Sequence, residues 1–212
     1  MSTICIIDYD VGNIHSVMKA VRLYTDRVIL SDKTTDIENA AGIILPGQGA
    51  FNAGMDGLKK RNLIGLLQNK ALLGTPILGI CLGAQLLLEK GYEFGEHSGL
   101  GLLPGKVQKF PSLQDVKTPH MGWNSIDAPS DKRWENTPLH SLAQGAEMYF
   151  IHSYILQPDL SEHIVANTSY GGLQFPSVIG KGNITGCQFH PEKSGTEGLK
   201  IIENFVQLVE QA

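Results

Sequence analysis

Cysteine is scarce in this chain of 212 residues: Cys5, Cys81 and Cys187 are the only three, and their spacing is irregular. Neither a disulfide framework nor a zinc knuckle can be built from that set, and no metal is expected. Such thiols suit a reducing compartment. No stretch approaches the ~18 consecutive apolar residues of a membrane span, so no membrane partner is expected. A basic excess is also missing, since 17 Lys and Arg stand against 21 Asp and Glu for a formal charge of −4. A general nucleic-acid binder would carry the opposite footprint. No basic leader with a cleavage site precedes the first strand-like segment, residues 3–8, and a cytoplasmic protein is expected. Internal repeats, low-complexity tracts and linkers are lacking too, which leaves one large domain over residues 1–212. At this length folding buries about 70% of the unfolded chain's surface, enough for a core without staples.

Glycine is what the chain has in excess, 24 of 212 residues, or about 11% against an average near 7%. Around these glycines, short β-rich runs alternate with helical patterns in the first half. Strands are expected at 3–8, 27–30, 42–45 and 76–80, and helices at 13–24, 53–72 (broken near Arg61-Asn62), and 82–89. That alternation implies βαβ units and a mostly parallel central sheet flanked by helices, an α/β fold. After Gly91 the pattern changes to short strands at 107–110, 148–154, 164–168 and 177–179, which read as an antiparallel section added to the parallel sheet. A strand at 186–190 and an amphipathic helix at 195–210 close the chain.

Gly79-Ile80-Cys81-Leu82-Gly83 stands where an apolar strand meets a helix. This is the spacing of a nucleophile elbow with cysteine as the nucleophile. Side chains two residues away on either side would collide with neighbouring backbone. The helix beginning at Leu82 would aim free N–H groups at the sulfur and favour thiolate. A thiolate needs a base, and the base an orienting group. His190, followed by Pro191 and Glu192, is the most suggestive of the seven histidines. Proline biases His190 toward extended geometry, which would put His190 and Glu192 on one side of the chain. His15, His97, His120, His140 and His163 read as surface or capping residues, and Cys5 and Cys187 as buried structural thiols.

The stretch from Gly79 to Gln85 together with His190-Pro191-Glu192 resembles the class I (triad) glutamine amidotransferases. Pro46-Gly47-Gln48-Gly49-Ala50-Phe51 is similar to the family's oxyanion strand. Three further stretches, 119–124, 150–154 and 188–194, resemble the branch that supplies ammonia in imidazole glycerol phosphate synthesis, a step of histidine biosynthesis. The resemblance implies a Cys81, His190 and Glu192 triad acting on L-glutamine, with no cofactor. It implies oxyanion donors at Leu82 and at the Gln48-Gly49 peptide, and substrate contacts from Gly49, Gln85, Glu93, His152, Ser153 and Tyr154. Glu93 also makes sense as the carboxylate partner of an α-ammonium. Asn13, Trp123 and Asn124 would face a (β/α)8-barrel cyclase partner, which receives the ammonia and whose nucleotide ligand switches the glutaminase on. Three positions depart from the family pattern: Gln48 for valine, Ala84 for methionine with more room beside the pocket, and an added charge at Asp10. They leave open a paralogue feeding a sugar-modifying amidotransferase partner.

Overall fold

Residues 2–12, 14–112, 116–129 and 134–211 are described by the computed structural model. Strands and helices alternate through the first half as β1 (Ile4–Ile7), α1 (Ile14–Val21), β2 (Val28–Ser31), α2 (Thr34–Glu38), β3 (Gly42–Leu45), α3 (Phe51–Lys60), α4 (Ile64–Leu72), β4 (Ile77–Ile80) and α5 (Leu82–Leu86). There follow β5 (Leu88–Gly91), β6 (His97–Ser98), β7 (Leu103–Lys109), β8 (His120–Ile126), β9 (Ala146–His152), β10 (Tyr154–Pro158), β11 (Ile164–Tyr170), β12 (Leu173–Lys181), β13 (Ile184–Cys187) and α6 (Gly195–Gln211). The largest sheet has seven strands in the order β11-β12-β13-β4-β3-β1-β2. Its five members from β13 to β2 run parallel, while β12 and β11 are antiparallel additions at one edge.

Both faces of the parallel part are covered, which is why its strands are apolar at consecutive positions. Along β1, Ile4 and Ile6 enter the core shared with α1 and α6, where Val17, Val21, Ile202 and Phe205 pack. Cys5 and Ile7 enter the opposite core, with Phe51, Leu58, Leu67 and Leu86 from α3, α4 and α5. The helical break expected near Arg61-Asn62 is real, with Asn62 at φ 56° between α3 and α4.

Two expectations about elements need correction, and one strand was not expected. The helix from Leu82 stops at Leu86, and the residues expected to prolong it form β5, which pairs with β6 and β7. The run Leu86-Leu87-Leu88 is apolar throughout, so its pattern does not separate a buried strand from a helix. The antiparallel strands also do not all join the main sheet. One group forms a mixed four-stranded sheet, β10-β7-β5-β6, in which β5 and β7 run parallel, and β8 with β9 forms a separate two-stranded ribbon. Strand β8 carries Gly122 and three polar residues, His120, Asn124 and Ser125, and its pairing with β9 rather than its composition makes it a strand.

Candidate active site

The chain leaves β4 and enters α5 through Cys81, which adopts φ 52°, ψ −106°, a conformation that L-residues avoid. Such a residue costs on the order of 1–3 kcal/mol and persists only where its surroundings impose it. Here the Cys81 N–H donates to the Cys187 carbonyl at 2.7 Å, and its own carbonyl accepts the Gln85 N–H at 3.1 Å. The glycines at either side of the turn have the role their spacing implies. A Cβ on Gly83 would come within 1.7 Å of the Leu45 carbonyl oxygen, and one on Gly79 within 2.8 Å of Ala84 backbone. Helix α5 therefore rests directly on the ends of β3 and β4. It has only five residues, so the sulfur's setting owes more to local N–H groups than to a long helix dipole.

His190 lies just past β13, and its Nδ1 is 2.8 Å from Glu192 Oε1. The contact is as expected, but the path differs. His190 is extended at φ −105°, ψ 93°, while Pro191–Lys193 coils into a single 3-10 turn that brings Glu192 back under the ring. Ser194 fixes this turn, donating from Oγ to the His190 carbonyl at 2.6 Å and accepting the Tyr149 N–H at 2.9 Å. Imidazole and carboxylate are both buried. Burial disfavours the charged ring, but the Cys81 sulfur and the Glu192 carboxylate together outweigh it and raise His190 to about 9. Nδ1 is held by Glu192, so Nε2 is the nitrogen left for proton exchange with the sulfur. Cys5 and Cys187 differ: both are fully buried, and desolvation pushes Cys5 up to about 12 and Cys187 higher still.

Cys81 opens into a cleft of about 270 Å³ lined by Gln48, Gly49, Leu82, Glu93, Pro119 and the 151–154 segment, with Gln85 at its floor. All the residues expected to contact substrate thus border one cavity. His190 does not line it, because its ring is buried behind the thiol. Gly49 sits at φ 139°, a conformation open to glycine alone, at the lip of the cleft. Glu93 reaches back to α3, where its Oε2 accepts the Phe51 N–H at 2.8 Å, so one carboxylate oxygen remains for a ligand. Ser153 is tied by its carbonyl to the Phe110 N–H at 2.7 Å.

Several contributors were not singled out from sequence. Gln188 donates from Nε2 toward the Cys81 sulfur at 3.9 Å and accepts from Gln85 Nε2 at 3.3 Å. Gln85 also donates to the Tyr154 carbonyl at 3.4 Å. The buried Tyr9 hydroxyl donates to the Pro46 carbonyl and so anchors the strand that carries Gln48 and Gly49. Gln188 stands two residues before His190 in the quoted motif, and that placement was the one available signal.

His120 and His163, expected as surface or capping residues, are both buried. His15 and His140 are exposed and His97 is partly so. Ala84 does not border the cleft. Its methyl faces Gly186 of β13. Asp10 is held at φ 66° by Arg61, whose Nη2 lies 2.7 Å from its carboxylate. Trp123 is 53% exposed, with Met121 beside it at 56%, and Asn124 is partly exposed. Asn13 lies outside the described residues. Among the described residues no cluster of three His, Cys, Asp or Glu side chains is arranged to hold a metal, and no helix is long and apolar enough to cross a membrane.

Comparison with known proteins places this site in context. The family model for glutamine amidotransferase class-I matches residues 5–208. The chain is 45% identical over 208 residues to "Imidazole glycerol phosphate synthase subunit HisH" of Lactococcus lactis subsp. lactis, covering 98% of this chain and 99% of that protein. It is 42% identical to "Imidazole glycerol phosphate synthase subunit HisH 1" of Legionella pneumophila, covering 98% and 100%. Among solved structures, a glutamine amidotransferase superposes with a TM-score of 0.73 at 17% identity, covering 97% of this chain and 98% of the other. The structure of PurLQS from Thermotoga maritima gives 0.72 at 18%, with the same coverage of each chain. These two are alike in fold.

Proposed function

Because the chain belongs to the class-I glutamine amidotransferase family, we propose that it is the glutamine-hydrolysing subunit of an imidazole glycerol phosphate synthase, working in histidine biosynthesis in the cytoplasm. The carrying observation is the single cleft in which the Cys81 sulfur opens toward Gln85, Glu93 and the 152–154 wall, with His190 and Glu192 directly behind it. The relatives named for this synthase, at 45% and 42% identity over nearly the whole chain, favour it over a sugar-modifying pair.

In this reading Cys81 attacks the carboxamide carbon of L-glutamine and forms a tetrahedral intermediate. Its oxyanion is met by the Leu82 N–H and a backbone N–H of the Gln48-Gly49 peptide. Each such donor is worth about 3 kcal/mol of barrier. The C–N bond breaks as His190 gives its proton to the departing nitrogen, which leaves as ammonia. His190, now neutral, takes a proton from water. The resulting hydroxide cleaves the γ-glutamyl thioester to release glutamate and regenerate the thiolate. Glu192 holds Nδ1 throughout, and the free oxygen of Glu93 pairs with the substrate's α-ammonium. Ammonia passes to a (β/α)8-barrel cyclase docked over Trp123 and Asn124.

The test is ammonia release from glutamine by the chain alone, with the histidine-pathway cyclase, and with cyclase plus its nucleotide substrate. Strong stimulation in the third condition alone is expected. Equal rates in all three would overturn the partner assignment.

The raised ring also sets a pH dependence. An imidazolium near 9 acts as acid for the departing nitrogen until the pH rises through that value, so kcat/KM should fall on the alkaline side near pH 9. Glu192→Gln removes one of the two groups that raise it. The variant should lose about 10- to 100-fold in rate, and its alkaline limb should move toward neutrality in stopped assays from pH 6 to 10. An unmoved limb would contradict the assigned role of Glu192. The stabilisation that His190 gains from these partners is complete below its unfolded pKa near 6.5 and is lost as pH rises through about 9.

A further inference from the structure

Both ring nitrogens of His152 are taken by the protein itself. Nδ1 lies 2.8 Å from the Tyr154 carbonyl oxygen, and Nε2 lies 2.9 Å from Nδ1 of His120. A carbonyl only accepts, so His152 carries its proton on Nδ1, and in the neutral ring Nε2 is an acceptor. Burial strongly favours that neutral ring, lowering His152 to about 3. The proton between the two rings must then come from His120. That ring is fully buried and clasped between Tyr170 and Phe150, at centroid distances of 4.0 and 4.8 Å and in nearly parallel planes. Its Nε2 lies 2.7 Å from Asn124 Oδ1, while Asn124 Nδ2 donates to the Ser169 carbonyl at 3.2 Å. In that orientation the ring pair needs a third proton. A half-turn of the Asn124 carboxamide would present Nδ2 instead and leave both rings neutral, at the loss of the bond to the Ser169 carbonyl.

We propose that His120 is a positioning residue for the glutamine pocket: from β8 it donates to His152, fixing the ring that holds the Tyr154 carbonyl and with it the wall formed by residues 151–154. This rests on the glutaminase reading and gives His152 a different part in it. With both nitrogens engaged, His152 has no N–H to offer the substrate and acts as the inner end of a brace. The braced carbonyl is shared with Gln85 Nε2, which in turn meets Gln188, so wall and floor of the pocket are set by one atom. His120 itself touches Asn124, His152 and aromatic rings and none of Cys81, His190 or Glu192; the wall it braces reaches the sulfur at the Ile151 carbonyl, a weak contact of 3.9 Å. Loss of His120 should therefore weaken glutamine binding and spare the chemical step.

His120→Phe keeps the stacked ring and removes the N–H. Assayed with the cyclase and its nucleotide, it should raise KM for glutamine about tenfold and leave kcat within about twofold of wild type. His120→Gln, which can again donate to His152, should recover most of the lost affinity. A wild-type KM in His120→Phe, or a fall in kcat at unchanged KM, would overturn the proposal. Nitrogen-15 spectra of the imidazoles in the wild-type chain test it without a variant, even if His120→Phe fails to fold. A His152 protonated on Nδ1 is expected, and one protonated on Nε2 would overturn the brace. A wild-type chain that hydrolyses no glutamine under any condition would overturn the glutaminase reading instead, and the spectra would still decide the hydrogen-bond line.

Discussion

Cys81→Ala should abolish glutamine hydrolysis, with turnover reduced by at least about 10⁴-fold, while the folded chain still docks on its partner. The expected size follows from the covalent route. Without the sulfur no thioester forms, and the oxyanion donors and pocket residues can assist only direct attack by water. Stability should change little, because the alanine replaces a small side chain at a position 6% exposed and relieves none of the turn's strain. Ammonia release with and without the cyclase reads the first expectation, and sedimentation of the mixed proteins reads the second. Turnover near the wild-type rate would sink the nucleophile assignment. A thiol reagent gives a supporting readout, since Cys5 and Cys187 are fully buried with raised pKa values and should stay unmodified at neutral pH.

Gly83→Ala should be the most damaging substitution of a single methyl group at this site. Its Cβ would lie 1.7 Å from the Leu45 carbonyl oxygen and 2.7 Å from the carbon, both backbone atoms that no rotamer change can move. Either α5 lifts off the end of β3 or β3 bends. Both displace Cys81 from Gly47 and Gly49, and a misplacement of about 1 Å costs on the order of 10²-fold in rate. Overpacking of this kind costs about 3 kcal/mol, and the apparent Tm should fall by roughly 10 °C. Gly65→Ala is the matching control. Gly65 lies in α4 with open space around its built Cβ and no positive φ, so alanine there should be neutral or slightly stabilising. Comparable melting curves for the two variants would refute the close-approach argument.

How much of this was legible beforehand depends on the distance over which each contact acts. The Cys81 turn was readable because its glycines fall within two residues of the sulfur, and the chain must use them there whatever the rest does. The same holds for His190 and Glu192, although the chain joins them through a tight turn and not an extended segment. Gln188, 107 residues from Cys81, and Tyr9, 37 from Pro46, carry no local pattern that announces their partners. His120 was misplaced for a related reason. A histidine among Pro119, Gly122 and Asn124 looks polar and solvated until β9 supplies His152 opposite it in register. The end of α5 is not legible in the sequence because apolar periodicity is silent where every residue is buried. The family pattern, with methionine at position 84, suggests a pocket neighbour there, whereas the helical turn rotates the Ala84 methyl toward Gly186.

The strand order has a consequence for synthesis. Strand β13 is the last strand of the chain in sequence, yet it lies between β4 and β12 and hydrogen-bonds directly to the strand that leads into Cys81. The cysteine at position 81 is translated more than a hundred residues before its histidine, and even the Cys81 N–H lacks its acceptor until Cys187 arrives. A chain made only through α5 therefore carries the thiol without the buried imidazole and carboxylate that lie behind it in the full fold, and without a settled elbow. Non-local pairing of this sort is slow to form and comes late in folding. The thiol and the imidazole therefore meet only once the segment through Glu192 has been made and has paired beside β4.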